Sequence, residues 1–341
     1  MKNALTTALT IFLFSTSFAQ TTDSSTYFYQ KGVEEKNAKH YLVASKNFDK
    51  AIKLNPGYTA AYIDNGLVNI EMRKTDAAIS NFTKANELEP GNNVAVNELM
   101  NLYFNYRQYN KAVEYAQKCK DCPNAEKVIA ISYFQQEDYA KAEKALLALI
   151  AKSPNDAETN YTLGRSYMEM EQEKKAIYYY DKAVHLDTTR SGWLHELALL
   201  YYTVNDYKNA VVYFNKAAAN GFPVNNDFNE NLGYSYIYAG EFEKGEKILL
   251  DLMAKKPGNK DILRDIAQAY YDQKLYDKSL EYCQKLMELD QKDAKALYQA
   301  GLCFQKKGQK DRGQAMCDKA IELDPSLNKM KHSKDLLGAG L

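Results

Sequence analysis

An excess of charge of either sign is the first thing this chain lacks. Across 341 residues, 44 Lys+Arg stand against 44 Asp+Glu. A net charge of zero argues against nucleic acid or an anionic membrane surface as the main partner, because both demand a cationic face. Histidine is also scarce. His40, His185, His195 and His332 lie far apart, with no metal-ligand spacing and no Ser or Cys partner pattern. There is no glycine-rich loop of the kind that cradles phosphate, and carboxylates are spread as solvated charge, often with Lys four residues away. No catalytic motif stands out, so the expectation is a protein that is not an enzyme and needs no cofactor or metal. Long apolar runs are missing beyond the first residues, and mean hydropathy is −0.55.

The exception at the start reads as a targeting segment. Lys2 gives a positive beginning, Ala4–Phe14 is an apolar run diluted by Thr6, Thr7 and Thr10, and Ser17-Phe18-Ala19 supplies small residues before Gln20. This predicts a secretory signal peptide at 1–19, cut after Ala19, with an uncleaved anchor as the alternative. The run is too short for a spanning helix. No cysteine lies near the cut, which argues against a lipid anchor there. The expected location is outside the cytoplasm, in the periplasm or associated with the envelope.

What is abundant is tyrosine, with 28 residues against a single tryptophan, Trp193. The tyrosines follow a period. In 157–190, Leu163, Gly164 and Tyr167 share one face of a predicted helix, and Ala176, Tyr180 and Ala183 share one face of a second, with a polar turn around Met170–Glu173. Neither amphipathic helix buries its stripe alone, so the unit needs neighbours. They are present at a spacing of 34 residues, with only two exceptions. A linker at 20–24 leads to nine units over 25–327, and 328–341 is predicted to be a capping helix at 328–337 with a frayed tail. The third unit ends early at Cys119-Lys120-Asp121-Cys122, and the sixth runs one residue long through Asn220-Gly221-Phe222-Pro223.

The order of a bulky residue, Leu-Gly, Tyr, Ala, an aromatic, Ala and a late Pro, written here as N-Y-T-L-G-R-S-Y…A-I-Y-Y-Y-D-K-A, resembles the tetratricopeptide repeat (TPR) family over Ser25–Leu327. Its tryptophan position holds Phe28, Tyr62, Asn160 or Leu297 instead. The resemblance implies an all-α solenoid of about nine helix-turn-helix repeats in a right-handed superhelix. Gly66, Gly164, Gly233 and Gly301 would let paired helices approach closely, facing alanines such as Ala44, Ala78 and Ala176. Tyr103, Tyr133, Tyr167 and Tyr270 would be core.

The same resemblance implies a binding face, with the first helix of each repeat lining a concave groove. The inward positions are Ile63, Leu67 and Ile70; Asn97, Asn101 and Phe104; Tyr161, Arg165 and Met168; His195, Leu199 and Tyr202; Tyr234 and Ile237; then Arg264, Gln268, Tyr271 and Tyr298. This mixed surface suits a protein or peptide segment. The family's carboxylate clamp is not reproduced, since Asn97 and Asn101 have no basic partners at Asn124 and Val128.

Cysteines offer other readings. Cys119 and Cys122 close a helix, where the dipole disfavours a thiolate, so a structural disulfide or two idle thiols is expected over a redox centre. Cys283 and Cys303 fall on helices that pack in this family, leaving a bridge or buried thiols open. The reading is a non-enzymatic scaffold in the bacterial cell envelope. Its alternatives are a disulfide or redox accessory working through Cys119 and Cys122, or an envelope-assembly component binding cell-wall polymer or outer-membrane proteins.

Overall fold

The computed structural model describes residues 24–255 and 260–332. Among them it shows α-helices, one 3-10 helix and no strand. The expected signal peptide, residues 20–23 of the expected linker, Pro257 and residues 333–341 lie outside the described residues, and Ser24 is already helical.

Two compact units divide the chain, Met1–Gln172 and Glu173–Leu341. The first contains α1 (24–37), α2 (Tyr41–Leu54), α3 (Thr59–Glu71), α4 (Thr75–Leu88), α5 (Asn93–Asn105), α6 (Tyr109–Lys118), α7 (Ala125–Gln135), α8 (Tyr139–Lys152) and α9 (Ala157–Glu169). The second contains α10 (Glu173–Leu186), α11 (Ser191–Thr203), α12 (Tyr207–Ala219), α13 (Asn226–Tyr238), α14 (Phe242–Lys255), α15 (Asp261–Asp272), α16 (Tyr276–Leu289), α17 (Ala294–Lys306) and α18 (Lys310–Leu323). The boundary thus falls inside the fifth repeat, in the turn between its helices. After α18 comes a 3-10 helix over Pro325–His332, which takes in the described part of the helix expected at 328–337, and residues 333–337 of that expectation lie outside the described residues. Proline is accepted at its first turn, where an N–H has no internal partner to lose.

Every hairpin turns by the same device. Lys39, Arg73, Arg107, Glu137, Glu171, Asn205 and Lys274 adopt φ between 55° and 61°, and Gly240 and Gly308 adopt 90° and 87°. All nine stand at the fifteenth position of their repeat. The next residue then donates its N–H to the carbonyl five residues back, as from Gln108 to Tyr103 and from Leu275 to Tyr270, each 2.8 Å. These bonds satisfy carbonyls that the end of a helix would leave open. In seven repeats a side chain tolerates a left-handed backbone that costs it roughly 1 kcal/mol or more, so residue type alone does not announce the turn.

Close approach within a pair depends on the eighth position. A Cβ added at Gly66 would lie 2.7 Å from the Phe82 ring, one at Gly32 2.6 Å from Phe48, and one at Gly233 2.7 Å from Leu249. The large residue stands at the twenty-fourth position. In the third repeat the sizes are exchanged, with Met100 at the eighth and Ala116 at the twenty-fourth, both buried in one core cluster. The twentieth position, alanine in Ala44 and Ala78, is glycine in the seventh and ninth repeats. There a Cβ on Gly245 would stand 2.6 Å from the Gly233 carbonyl oxygen, and one on Gly313 2.5 Å from that of Gly301. Tyr103, Tyr167 and Tyr270 are buried, Tyr133 is half-buried, and the Tyr167 and Tyr270 hydroxyls donate to Glu143 (2.7 Å) and Glu246 (2.6 Å).

The third repeat is shortened at its second helix. α6 has 10 residues, and Cys119, its C-cap, is joined to Cys122 by a disulfide with Cα atoms 5.7 Å apart. Cys283, Cys303 and Cys317 are buried and form no disulfide, so the possible Cys283–Cys303 bridge is absent. Cys303 instead donates to the Ser279 hydroxyl at 3.2 Å. Burial pushes the Cys283 thiol up to about 12, which keeps it protonated and inert.

Gly245→Ala should destabilise the protein by about 1–3 kcal/mol in urea denaturation, because backbone atoms of Gly233 and Ile237, as well as the Ile237 side chain, block the new methyl. Gly192→Ala, with nothing within 4 Å of the added Cβ, should cause no loss. Equal effects at the two sites would disprove the close-approach account.

Candidate functional site

The inner-face residues fall in both units, and each group is described within its own unit. In the first, α9 presents Tyr161 and Arg165 half-buried and Met168 with 43% of its surface exposed. The Arg165 guanidinium lies 5.0 Å from the centre of the Phe134 ring and 5.9 Å from that of Tyr161. It makes no ion pair among the described residues, so its donors stay available while the rings hold its plane in place. Ile63, Leu67, Ile70 and Phe104 pack on the core with one side and remain half-exposed, as do Asn97 and Asn101.

In the second unit the expected residues separate into two kinds. Three are committed to packing. His195 stacks on Phe222 with ring centres 4.1 Å apart, and Phe214 and Phe228 lie at 5.7 Å. Phe222 belongs to the loop that lengthens the sixth repeat, so the extra residue there brings a ring onto His195. Burial among these rings lowers the His195 pKa, against a smaller opposing pull from Glu196. Arg264 donates to Asp261 and to Asp293, each at 2.7 Å. Asp293 is the N-cap of α17 and accepts the Ala296 N–H at 3.0 Å, so Arg264 ties α15 to the start of the next repeat. Ile237 is fully buried.

The other kind borders a partly open surface, half-exposed at some positions and buried at others. Tyr202 and Leu199 on α11, and Gln268 and Tyr271 on α15, are half-exposed. Tyr234 on α13 is 8% exposed, and its hydroxyl donates to Asp265 at 2.8 Å. Tyr298 on α17 is buried to a similar degree. Three residues outside the expected set join them: Tyr238, Asp265 and Asp272. Tyr207 bridges the tyrosines, its ring centre 4.7 Å from Tyr238 and 5.5 Å from Tyr202. The Gln268 amide donates to Asp272 at 2.7 Å.

Protein packed around this face shapes its electrostatics. Burial raises the Tyr202 phenol to about 12, with Tyr207, Asp265 and Glu230 adding to the rise. Tyr234 and Tyr238 are raised further, again mainly by burial and then by Asp265 and Asp272 respectively. Both carboxylates are open to solvent, yet the surrounding protein raises each above its usual range, more than the hydrogen bonds from Tyr234 and Gln268 lower it. Tyr238, Asp265 and Asp272 are one residue removed from the positions read as inward. A strip wider by one residue on each inner helix would have included them, since neighbours along a helix lie only 100° apart.

Among the described residues no group of three His, Cys, Asp or Glu is placed to hold a metal. No helix among them is long and apolar enough to cross a membrane.

Tetratricopeptide repeat models match residues 128–191, 194–219, 231–294 and 294–327. These stretches span more than half of the chain, and the protein belongs to the tetratricopeptide repeat family, whose folds generally serve as protein-interaction scaffolds. Similar curated proteins include anaphase-promoting complex subunit 3 of Schizosaccharomyces pombe, 26% identical over 165 residues, which cover 46% of this chain and 24% of that protein. Another is the human protein O-mannosyl-transferase TMTC1, 27% identical over 160 residues, covering 47% and 18% respectively. The chain therefore spans about a quarter or less of the length of these two relatives. Among solved structures it is similar to YrrB, described as a TPR protein with an unusual peptide-binding site, at 22% identity and a TM-score of 0.36, covering 56% of this chain and 100% of that one.

His195 makes stability depend on pH in a known direction. Its folded pKa lies below the ordinary 6.5, so the unfolded chain binds the proton more readily and stability falls as pH drops below that value. A His195→Phe variant lacks this loss. The stability of the natural protein minus that of the variant should therefore decrease between about pH 7 and pH 5 in parallel urea titrations. A constant difference would place His195 in a solvated setting.

Proposed function

We propose that this protein is a non-enzymatic scaffold of the bacterial cell envelope that holds a segment of another protein along its inner helices. The observation that carries the reading is the surplus of unspent recognition groups there. Arg165 keeps its guanidinium donors over two rings, Met168 is exposed, and Tyr202 and Tyr238 have hydroxyls without a hydrogen-bond partner among the described residues. A repeat protein that only needed to be stable would gain little from such groups, whereas an interface draws on aromatic, Met and Arg side chains. Export is supported by the composition of 1–19, and a disulfide at Cys119–Cys122 fits an oxidising compartment. The disulfide caps a helix C-terminus, which speaks for a structural rather than a redox role. The TMTC1 likeness covers too little of that protein to transfer its activity.

Two measurements test this. Cross-linking and recovery from native envelopes should capture a partner that the Tyr161→Ala, Tyr202→Ala double variant loses while its circular dichroism melt stays close to that of the natural protein. Capture unchanged by the double variant would refute the inner-face assignment. Cell fractionation should find the protein outside the cytoplasm, with an intact mass that lacks residues 1–19. A full-length cytoplasmic species would refute export.

A further inference from the structure

We propose that the inner face of the second unit takes a cationic side chain, arginine or lysine, carried on an extended segment of the partner protein. The inference rests on reading the inner helices as the binding surface and adds the chemistry of what binds there. Tyr202 and Tyr238 hold half-exposed rings on α11 and α13, the buried Tyr234 gives its hydroxyl to Asp265, and Asp265, Gln268 and Asp272 line the adjoining face of α15. Neither carboxylate forms an ion pair among the described residues. The cation nearest along the helix, Arg264, has already spent its two terminal nitrogens on Asp261 and Asp293. The face thus carries two unneutralised negative charges beside electron-rich rings.

A neutral or anionic segment would leave that charge uncompensated. A guanidinium or ammonium group would pair with one of the carboxylates and lie on a tyrosine face, and its charge would offset what the surrounding protein costs that carboxylate.

A second observation favours a polypeptide over a free amine. Gln299, one repeat on from Asp265, is 6% exposed, and neither its amide nitrogen nor its amide oxygen has a hydrogen-bond partner among the described residues. The Gln268 amide oxygen is likewise buried and unpartnered. These atoms are closed off in the free protein, and a docking segment meets them as the side chains turn outward; a side-chain amide then offers donors and an acceptor together, which match the C=O and N–H of an extended backbone. A small polyamine has no backbone to meet them. Cation at the carboxylates and backbone at the glutamines together describe a basic peptide segment.

Fluorescence anisotropy with the exported protein and short labelled peptides of alternating Arg-Ser, Lys-Ser, Gly-Ser and Glu-Ser tests this. The Arg-Ser or Lys-Ser peptide should bind at least about tenfold more tightly than Gly-Ser, the gain of one close ion pair, and should weaken as salt is raised. Asp265→Asn with Asp272→Asn keeps shape and removes charge. It should erase the tenfold preference while leaving the melting temperature unchanged. Should that variant unfold, the comparison of Arg-Ser with Glu-Ser on the natural protein still decides. Equal binding of the basic and acidic peptides, or full retention by the double variant, overturns the proposal. Spermine that displaces the basic peptide as effectively as unlabelled peptide does also overturns it, because the site would then read charge alone. If envelope cross-links still map to the inner helices while the basic preference is absent, only this inference fails. Loss of both removes the scaffold reading as well.

Discussion

The contact on which the rest depends is the fit between the eighth residue of one helix and the twentieth and twenty-fourth of its partner. Gly66 lies under Phe82, Gly233 under Leu249, and the Gly233 carbonyl nearly touches the place where Gly245 would carry a methyl. Packing at this density leaves no room for independent change, so volume removed at one position returns at the other, as the exchange of Met100 and Ala116 shows. Once two helices close on this pivot, the left-handed residue at the fifteenth position returns the chain antiparallel. Gly308 and Arg107 both make that left-handed return, with φ of 87° and 56°. Local strain in seven turns is repaid by the packing they permit.

Building outward from that pivot shows which side chains of the first helices are left over. The core consumes the residues on one side of each first helix, and charged links consume others. Arg264 and the buried Asp293 fasten one repeat to the start of the next, in the same manner as Lys127 with Asp156, the N-cap of α9. What survives on the inner side is a short row per helix. In the first unit that row centres on a cation over rings, at Arg165. In the second it centres on anions beside rings, at Asp265 and Asp272. A chain of zero net charge can therefore carry two faces of opposite character, and neither is visible in its overall balance.

Architecture was legible from the sequence because it is periodic. Repeat limits read from Gly, Ala, Tyr and Pro positions coincide with helix starts at Thr59, Asn93, Ala157, Ser191, Asn226 and Ala294. The ends were less legible. After the ninth repeat, the element that begins at Pro325 is a 3-10 helix, which the 34-residue period does not anticipate. The candidate site was only half legible. Spacing placed Tyr161, Arg165 and Tyr202 on inner helices, but it could not separate His195 and Arg264, which packing and capping have consumed, from Gln268 and Tyr271, which they have not. It also missed Tyr238, Asp265 and Asp272, since a strip one residue too narrow looks complete in one dimension.

By itself, then, the sequence determined the class of structure, the number and phase of the helix pairs, and the burial of core tyrosines such as Tyr103, Tyr167 and Tyr270. Each of these follows from local periodicity and from the need of an amphipathic helix to cover its apolar stripe. Tertiary structure decided which polar groups are spent and which remain. Whether Arg264 meets Asp293, whether Phe222 reaches His195, and whether Asp265 goes without a cation depend on residues brought together across repeats. Those are distances through space, and a period along the chain does not encode them.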